Sequence, residues 1–196
     1  MNPNSNKNFD LPIIPIVDSF GRKHRSLRIS VTDRCNIRCF YCMPENVKFL
    51  PQDSILSFEE IHRIAGILAR QGVSRVRLTG GEPLVRSQLW NLVELLKSVR
   101  GIEEVALTTN GILLSDQAEK LKASGLDRIN VSLDSIDRDK FKEITRRDAL
   151  DKVLAGIDAA ISAGFENIRI NAVSVNGISE TEVVPLVTWA QQQGVH

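Results

Sequence analysis

Short stretches in which apolar and polar residues alternate recur along the chain, separated by longer stretches with apolar residues three or four positions apart. The short stretches are LRISVT (27–32), SRVRLT (74–79), EVALTTN (104–110), RINVSLD (128–134) and NIRINAVSV (167–175), and their β-branched content predicts five strands. Helical spacing covers 58–71, 87–99, 115–124, 137–145, 149–163 and 180–193. Ser57 followed by Glu60 has the form of a capping box, Gly72 closes that helix, and Gly125 and Gly164 stand where helix C-terminal caps are expected. Strands separated by helices predict right-handed βαβ crossovers and an α/β fold with a parallel sheet, open or curled into a barrel.

Alternate residues of a strand face opposite sides. One face is apolar: Leu27, Ile29 and Val31; Val76 and Leu78; Val105 and Leu107; Ile129, Val131 and Leu133; Ile168, Ile170 and Ala172. This face is expected to lie under the helices. The other face carries Arg28, Ser30 and Thr32; Arg75, Arg77 and Thr79; Thr108 and Asn110; Asn130, Ser132 and Asp134; Arg169 and Asn171. Strands buried on both sides read as continuous apolar runs, so this second face predicts a polar cavity suited to an anionic small molecule. Individual arginines at strand ends can instead be solvated or ion-paired.

Composition adds boundaries. The 196 residues are 42% hydrophobic and 25% charged, enough for one globular core. The 25 basic and 24 acidic side chains nearly cancel, which removes any general argument for nucleic-acid or membrane-surface binding. No apolar run approaches the roughly 18 residues of a membrane span, and the amino terminus lacks the pattern of a signal or transit peptide, so a cytoplasmic protein is expected. Residues 1–24 read as a polar arm and 25–196 as one domain.

The chain has three cysteines, Cys35, Cys39 and Cys42, all in CNIRCFYC directly after the first strand. A βα loop would place them at the cavity mouth. A reducing compartment and an odd number disfavour disulfides. Three thiolates can hold three irons of a 4Fe-4S cluster and leave the fourth iron open, whereas a structural zinc site needs a fourth ligand, for which His24 and His62 are candidates, neither at the short spacing of zinc motifs. GGEP at 80–83 is either a tight turn or a ligand loop. Glu82 can cap the following helix or hold an amino group, while Trp90 and Trp189 fit core packing and His62 a helix surface or a partly buried site.

C-x3-C-x2-C with Tyr41 before its last cysteine, together with GGEP, resembles the signature of radical S-adenosylmethionine (SAM) enzymes. LRISVTDRCNIRCFYCMP, preceded by DSFGRKH and followed by LTGGEPLVR, LTTNG and INVSLDSID, resembles the GTP 3′,8-cyclase family of molybdenum cofactor biosynthesis from about residue 17 onward. The resemblance implies a partial (βα)6 barrel with one amino-terminal 4Fe-4S cluster on Cys35, Cys39 and Cys42. It implies SAM contacts at Tyr41, Gly81 and Ser132, and GTP contacts at Arg28, Arg77, Thr108 and Arg169. At position 169 the family usually has lysine. The implied reaction is reductive cleavage of SAM to a 5′-deoxyadenosyl radical, which takes the C3′ hydrogen of GTP before that carbon attacks C8, giving (8S)-3′,8-cyclo-7,8-dihydroguanosine 5′-triphosphate. An electron-donor protein and a downstream molybdopterin-precursor enzyme are the implied partners.

Members of that family continue past this length with a sixth strand and a second cluster. The expectation from the sequence is therefore a truncated partial barrel, with two further alternatives: a fragment that binds or cleaves SAM without GTP turnover, and a non-catalytic metal-binding module.

Overall fold

The computed structural model describes residues 15–196, so residues 1–14 of the expected arm lie outside the described residues. Five strands appear where the alternation places them: β1 (Ser26–Ser30), β2 (Arg75–Thr79), β3 (Glu104–Thr109), β4 (Arg128–Ser132) and β5 (Ile168–Asn171). The helices are α1 (Phe58–Ala69), α2 (Leu89–Lys97), α3 (Ala118–Ala123), α4 (Arg138–Thr145), α5 (Leu150–Ser162) and α6 (Val183–Gln193). The capping box forms at α1: the Glu60 amide donates to Ser57 Oγ (3.1 Å) and the Ser57 amide to Glu60 Oε2 (2.7 Å). Gly72, Gly125 and Gly164 all take positive φ past their helices, as expected for C-terminal caps.

All strand pairs are parallel and the order is β1-β2-β3-β4-β5. This order is what the sequence pattern left open. A doubly wound sheet reverses its strand order and so receives helices on both faces. Here each right-handed crossover advances in the same direction, which stacks the helices against one face only. That face is the predicted apolar one: Val76, Leu78, Val105, Leu107, Ile129 and Val131 are buried with Ile61, Ala65, Leu92, Leu96, Leu121 and Ile157 from the helices. The polar face is left for the inside of a partial barrel.

The strands are shorter at their carboxyl ends than the alternation suggests. β5 stops at Asn171 because the Val173 amide leaves the ladder for Asp134 Oδ1 (2.9 Å) and the Val175 amide for Ser179 Oγ (2.8 Å). Ala172, expected under the helices, is exposed for that reason. Trp90 and Trp189 pack partly buried against the core, as expected. Among the described residues no helix is long and apolar enough to cross a membrane.

Candidate active site

The cysteine loop leaves β1 at the carboxyl end of the sheet, and separate contacts fix it. The amides of Arg38 and Phe40 donate to the carbonyls of Thr145 (2.9 Å) and Ile144 (3.0 Å), tying the loop to the end of α4. The Arg38 guanidinium donates to the carbonyls of Cys35 (2.6 Å) and Ile37 (2.7 Å), and Asp33 Oδ2 accepts from the Leu50 amide (2.6 Å). The Cys39 carbonyl accepts from both Cys42 (2.9 Å) and Met43 (3.0 Å), a turn that folds Cys42 back toward Cys39.

The GGEP turn packs directly on this loop. Gly81 donates to the Thr32 carbonyl (2.8 Å) and Glu82 to that of Arg34 (2.7 Å). A Cβ at position 81 would lie 2.3 Å from the Arg34 carbonyl oxygen and 2.8 Å from that of Asp33. The approach that demands glycine here is thus between two stretches of backbone.

Glu82 is buried and caps the following turn, one of the two roles expected of it. Its Oε1 accepts from the Leu84 amide (2.9 Å) and Thr109 Oγ1 (2.7 Å), and its Oε2 from the Asn110 amide (2.6 Å). Burial pushes its carboxyl up, against the pull of these donors. The carboxylate therefore binds the β2 turn to the end of β3.

Tyr41 donates its hydroxyl to Asp134 Oδ2 (2.6 Å), and Asp134 Oδ1 is the acceptor for Val173. Burial first, and then the Asp134 carboxylate, raise the Tyr41 hydroxyl well above its usual range. Ser132 is exposed at the end of β4, two residues before Asp134, in register with Asn171. Tyr41→Phe removes the donor but leaves Asp134 one partner. We expect a loss of about 1–2 kcal/mol, read as a lowered urea midpoint with unchanged slope.

Burial, with Asp134 next, raises the Cys39 thiol to about 11, and burial also raises Cys35. Each of these two also feels the charge of Cys42. Among the described residues no three His, Cys, Asp or Glu side chains are grouped to hold a metal ion, and His24 and His62 do not complete a zinc site. A single ion needs its donors in one coordination sphere, whereas a four-iron cluster takes each thiolate on a different iron. Ionised thiols in this partly buried place require added positive charge, which a bound metal group supplies. Three cysteines with no fourth ligand grouped beside them among the described residues fit a cluster with one open iron better than a structural zinc site.

The polar face runs in register across the sheet. Arg28 pairs with Arg77, Arg77 with Ala106, and Ala106 with Arg128. One row toward the carboxyl ends, Thr108 pairs with Asn130 and Asn130 with Arg169. Ala106 is a small residue between two arginines, and the row encloses a recess of about 420 Å3 lined by Arg28, Arg75, Arg77, Glu104, Ala106 and Arg128 among others. Burial, then the charges of Arg128, Arg28 and Arg169, lower the proton affinity of Arg77. Glu104 is the acid in this recess, accepting from Arg128 (2.6 Å).

All four residues expected to contact GTP, Arg28, Arg77, Thr108 and Arg169, thus lie on one sheet face, and the three cysteines, Tyr41, Gly81 and Ser132 lie at its carboxyl end. Arg128 shares the parity of Asn130 and was legible by that alternation, although it does not figure among the polar-face residues named from sequence. The roles of Asp134 and Asn110 rest on contacts to residues 93 and 75 positions away, for which the sequence holds no local signal.

A parallel α/β partial barrel with one polar face and a cysteine loop at the strand carboxyl ends places its chemistry where barrel enzymes carry it. Residues 29–190 match the Radical SAM superfamily, and the chain belongs to that superfamily. It is 53% identical over 184 residues to GTP 3′,8-cyclase of Rhodopirellula baltica, covering 93% of this chain and 51% of that relative. GTP 3′,8-cyclase of Staphylococcus carnosus is 45% identical over 186 residues, with 92% and 54% covered. The chain spans about half the length of these curated relatives. Streptococcus suis SuiB bound to S-adenosylmethionine superposes with a TM-score of 0.70 at 23% identity, covering 87% of this chain and 37% of SuiB. Methylornithine synthase gives 0.65 at 16% identity, with 84% and 50% covered; both support the fold.

Proposed function

We propose that this chain carries the SAM-cleaving and triphosphate-binding part of a GTP 3′,8-cyclase. The observation that carries the reading is the register of Arg28, Arg77 and Arg128 in one row with Thr108 and Arg169 in the next, on the open face below the cysteine loop. A 4Fe-4S cluster on Cys35, Cys39 and Cys42, when bound together with SAM, would supply a carbon radical able to take the C3′ hydrogen of GTP.

The chain's own residues do the positioning. Arg28, Arg77 and Arg169 hold the triphosphate, and the mutual repulsion around Arg77 falls when an anion enters. Arginine at 169 keeps the charge of the usual lysine but presents a planar fork, so its hydrogen bonds are placed differently. Thr108 offers a hydroxyl to the ribose or guanine side. Tyr41, braced by Asp134, together with Gly81 and Ser132, forms the SAM side of the site. The electron donor and the enzyme that takes the product would dock outside this cavity.

Arg77→Ala is expected to weaken GTP binding about tenfold or more, the equivalent of one lost charge-assisted hydrogen bond. Equilibrium dialysis against GTP and GMP checks this. The triphosphate should be preferred by the parent chain and that preference should shrink in the variant; equal affinity of both proteins for GTP would contradict the assignment.

A further inference from the structure

Asn110, at the end of β3, is in contact with a candidate cluster ligand. Its side-chain Oδ1 accepts from the Ile112 amide (3.1 Å), which fixes the orientation of the carboxamide because a backbone N–H can bond only to the oxygen. The Nδ2 group then has two hydrogens to place. One goes to Asn36 Oδ1 (2.7 Å) and the other is directed at Cys35 Sγ (3.9 Å). The residue is itself immobilised, since it is 6% exposed and its amide donates to the buried Glu82 carboxylate. Glu82 in turn holds Thr109, whose hydroxyl oxygen accepts from the Gly111 amide (3.0 Å).

We infer that Asn110 is a positioning residue for the cluster: its carboxamide donates a hydrogen bond to the Cys35 sulfur and thereby sets the reduction potential of the bound cluster. The inference rests on the reading that Cys35 is an iron ligand. Its physical basis is that a donor aimed at a ligating sulfur stabilises the more negative, reduced state. The Glu82 contacts make the donor rigid, so the effect is not averaged away by rotation. Asn36 accepts from the same carboxamide, and the Ile37 backbone, which also bonds to Cys35, is left in place by every variant below.

Three variants separate this role from simple support of the loop. Asn110→Ser keeps an acceptor for the Ile112 amide, is neutral, and is too short to reach the sulfur. Asn110→Asp keeps the same acceptor and replaces the donor with negative charge. Asn36→Ala removes the other partner of the carboxamide and leaves the hydrogen toward Cys35 in place. Each is reconstituted with iron and sulfide without oxygen, its fold is compared by circular dichroism, and the cluster is titrated potentiometrically with electron paramagnetic resonance as the readout.

The expected result is a midpoint shifted to more negative potential in Asn110→Ser, further in Asn110→Asp, and little changed in Asn36→Ala. Loss of the cluster from both Asn110 variants, with Asn36→Ala loading normally, would assign Asn110 to support of the loop and overturn its role in setting the potential. Parent-like potentials in folded, loaded Asn110 variants overturn the inference while leaving the cysteine assignment intact. A parent chain that takes up no cluster overturns the cysteine assignment, and this inference with it.

Discussion

Gly81→Ala is expected to cost about 3 kcal/mol or more. The added Cβ would sit 2.3 Å from the Arg34 carbonyl oxygen and 2.6 Å from its carbonyl carbon, and these are backbone atoms with no rotamer by which to move aside. Relief requires the GGEP turn and the cysteine loop to separate, which breaks the hydrogen bonds donated by the Gly81 and Glu82 amides to the carbonyls of Thr32 and Arg34. The same shift displaces the loop that carries Cys35 and Cys39. Urea denaturation should therefore show a lowered midpoint, and iron loading should fall in parallel. Stability and loading both equal to those of the parent would show that the two loops do not meet as described.

Glu82→Ala follows closely. Removing the carboxylate leaves the amides of Leu84 and Asn110 and the Thr109 hydroxyl without their acceptor in a buried place. Each abandoned donor costs about 1–3 kcal/mol, with partial recovery where water enters, so a total of about 3 kcal/mol is expected. The group also leaves a signature in pH. Burial raises its proton affinity above the ordinary value of 4.5, so the folded state binds this proton more tightly than the unfolded chain does. Its contribution is then full below that value and is lost as pH rises through the folded-state pKa. The difference in unfolding free energy between the parent and Glu82→Gln should accordingly narrow from acid to neutral pH. A difference that widened would reverse the sign assigned to Glu82.

Much of the fold could be read from residues close together in sequence. Alternation located five strands, and the serine, glutamate and glycine signals located the first helix, because these features depend on neighbours within one turn or one pleat. The polar face was legible for the same reason: Arg28, Arg77, Thr108 and Arg169 follow from parity alone, and they do share one side of the sheet. Strand order was not legible from alternation, since it depends on which way each crossover turns; only the family resemblance, through the partial barrel it implies, pointed to it. Nor were the strand ends. Asp134 draws off the Val173 amide and ends β5, a contact set by the fold and not by local propensity.

The site divides along the same line. Cysteine spacing, Tyr41 and GGEP pointed to the loop and to its chemistry. What holds the loop is long-range: Glu82 reaches Asn110, Asn110 reaches Cys35, and Tyr41 reaches Asp134. Arg128 was open to the parity argument, and its weight comes from the partner at Glu104 and the gap left by Ala106. These contacts give Gly81 and Glu82 a further part, since in the folded chain both join the β2 turn to its neighbours.

In the proposed reading the cysteine loop and the arginine face act as one site on GTP. Its most direct test is an anaerobic reaction of the iron-reconstituted chain with dithionite, SAM and GTP, with 5′-deoxyadenosine and cyclised nucleotide followed together by mass spectrometry. Both products are expected, with the cyclised nucleotide suppressed by Arg77→Ala. Deoxyadenosine without cyclised nucleotide would limit this chain to SAM cleavage, and the absence of both products from a cluster-loaded sample would rule out the proposed chemistry.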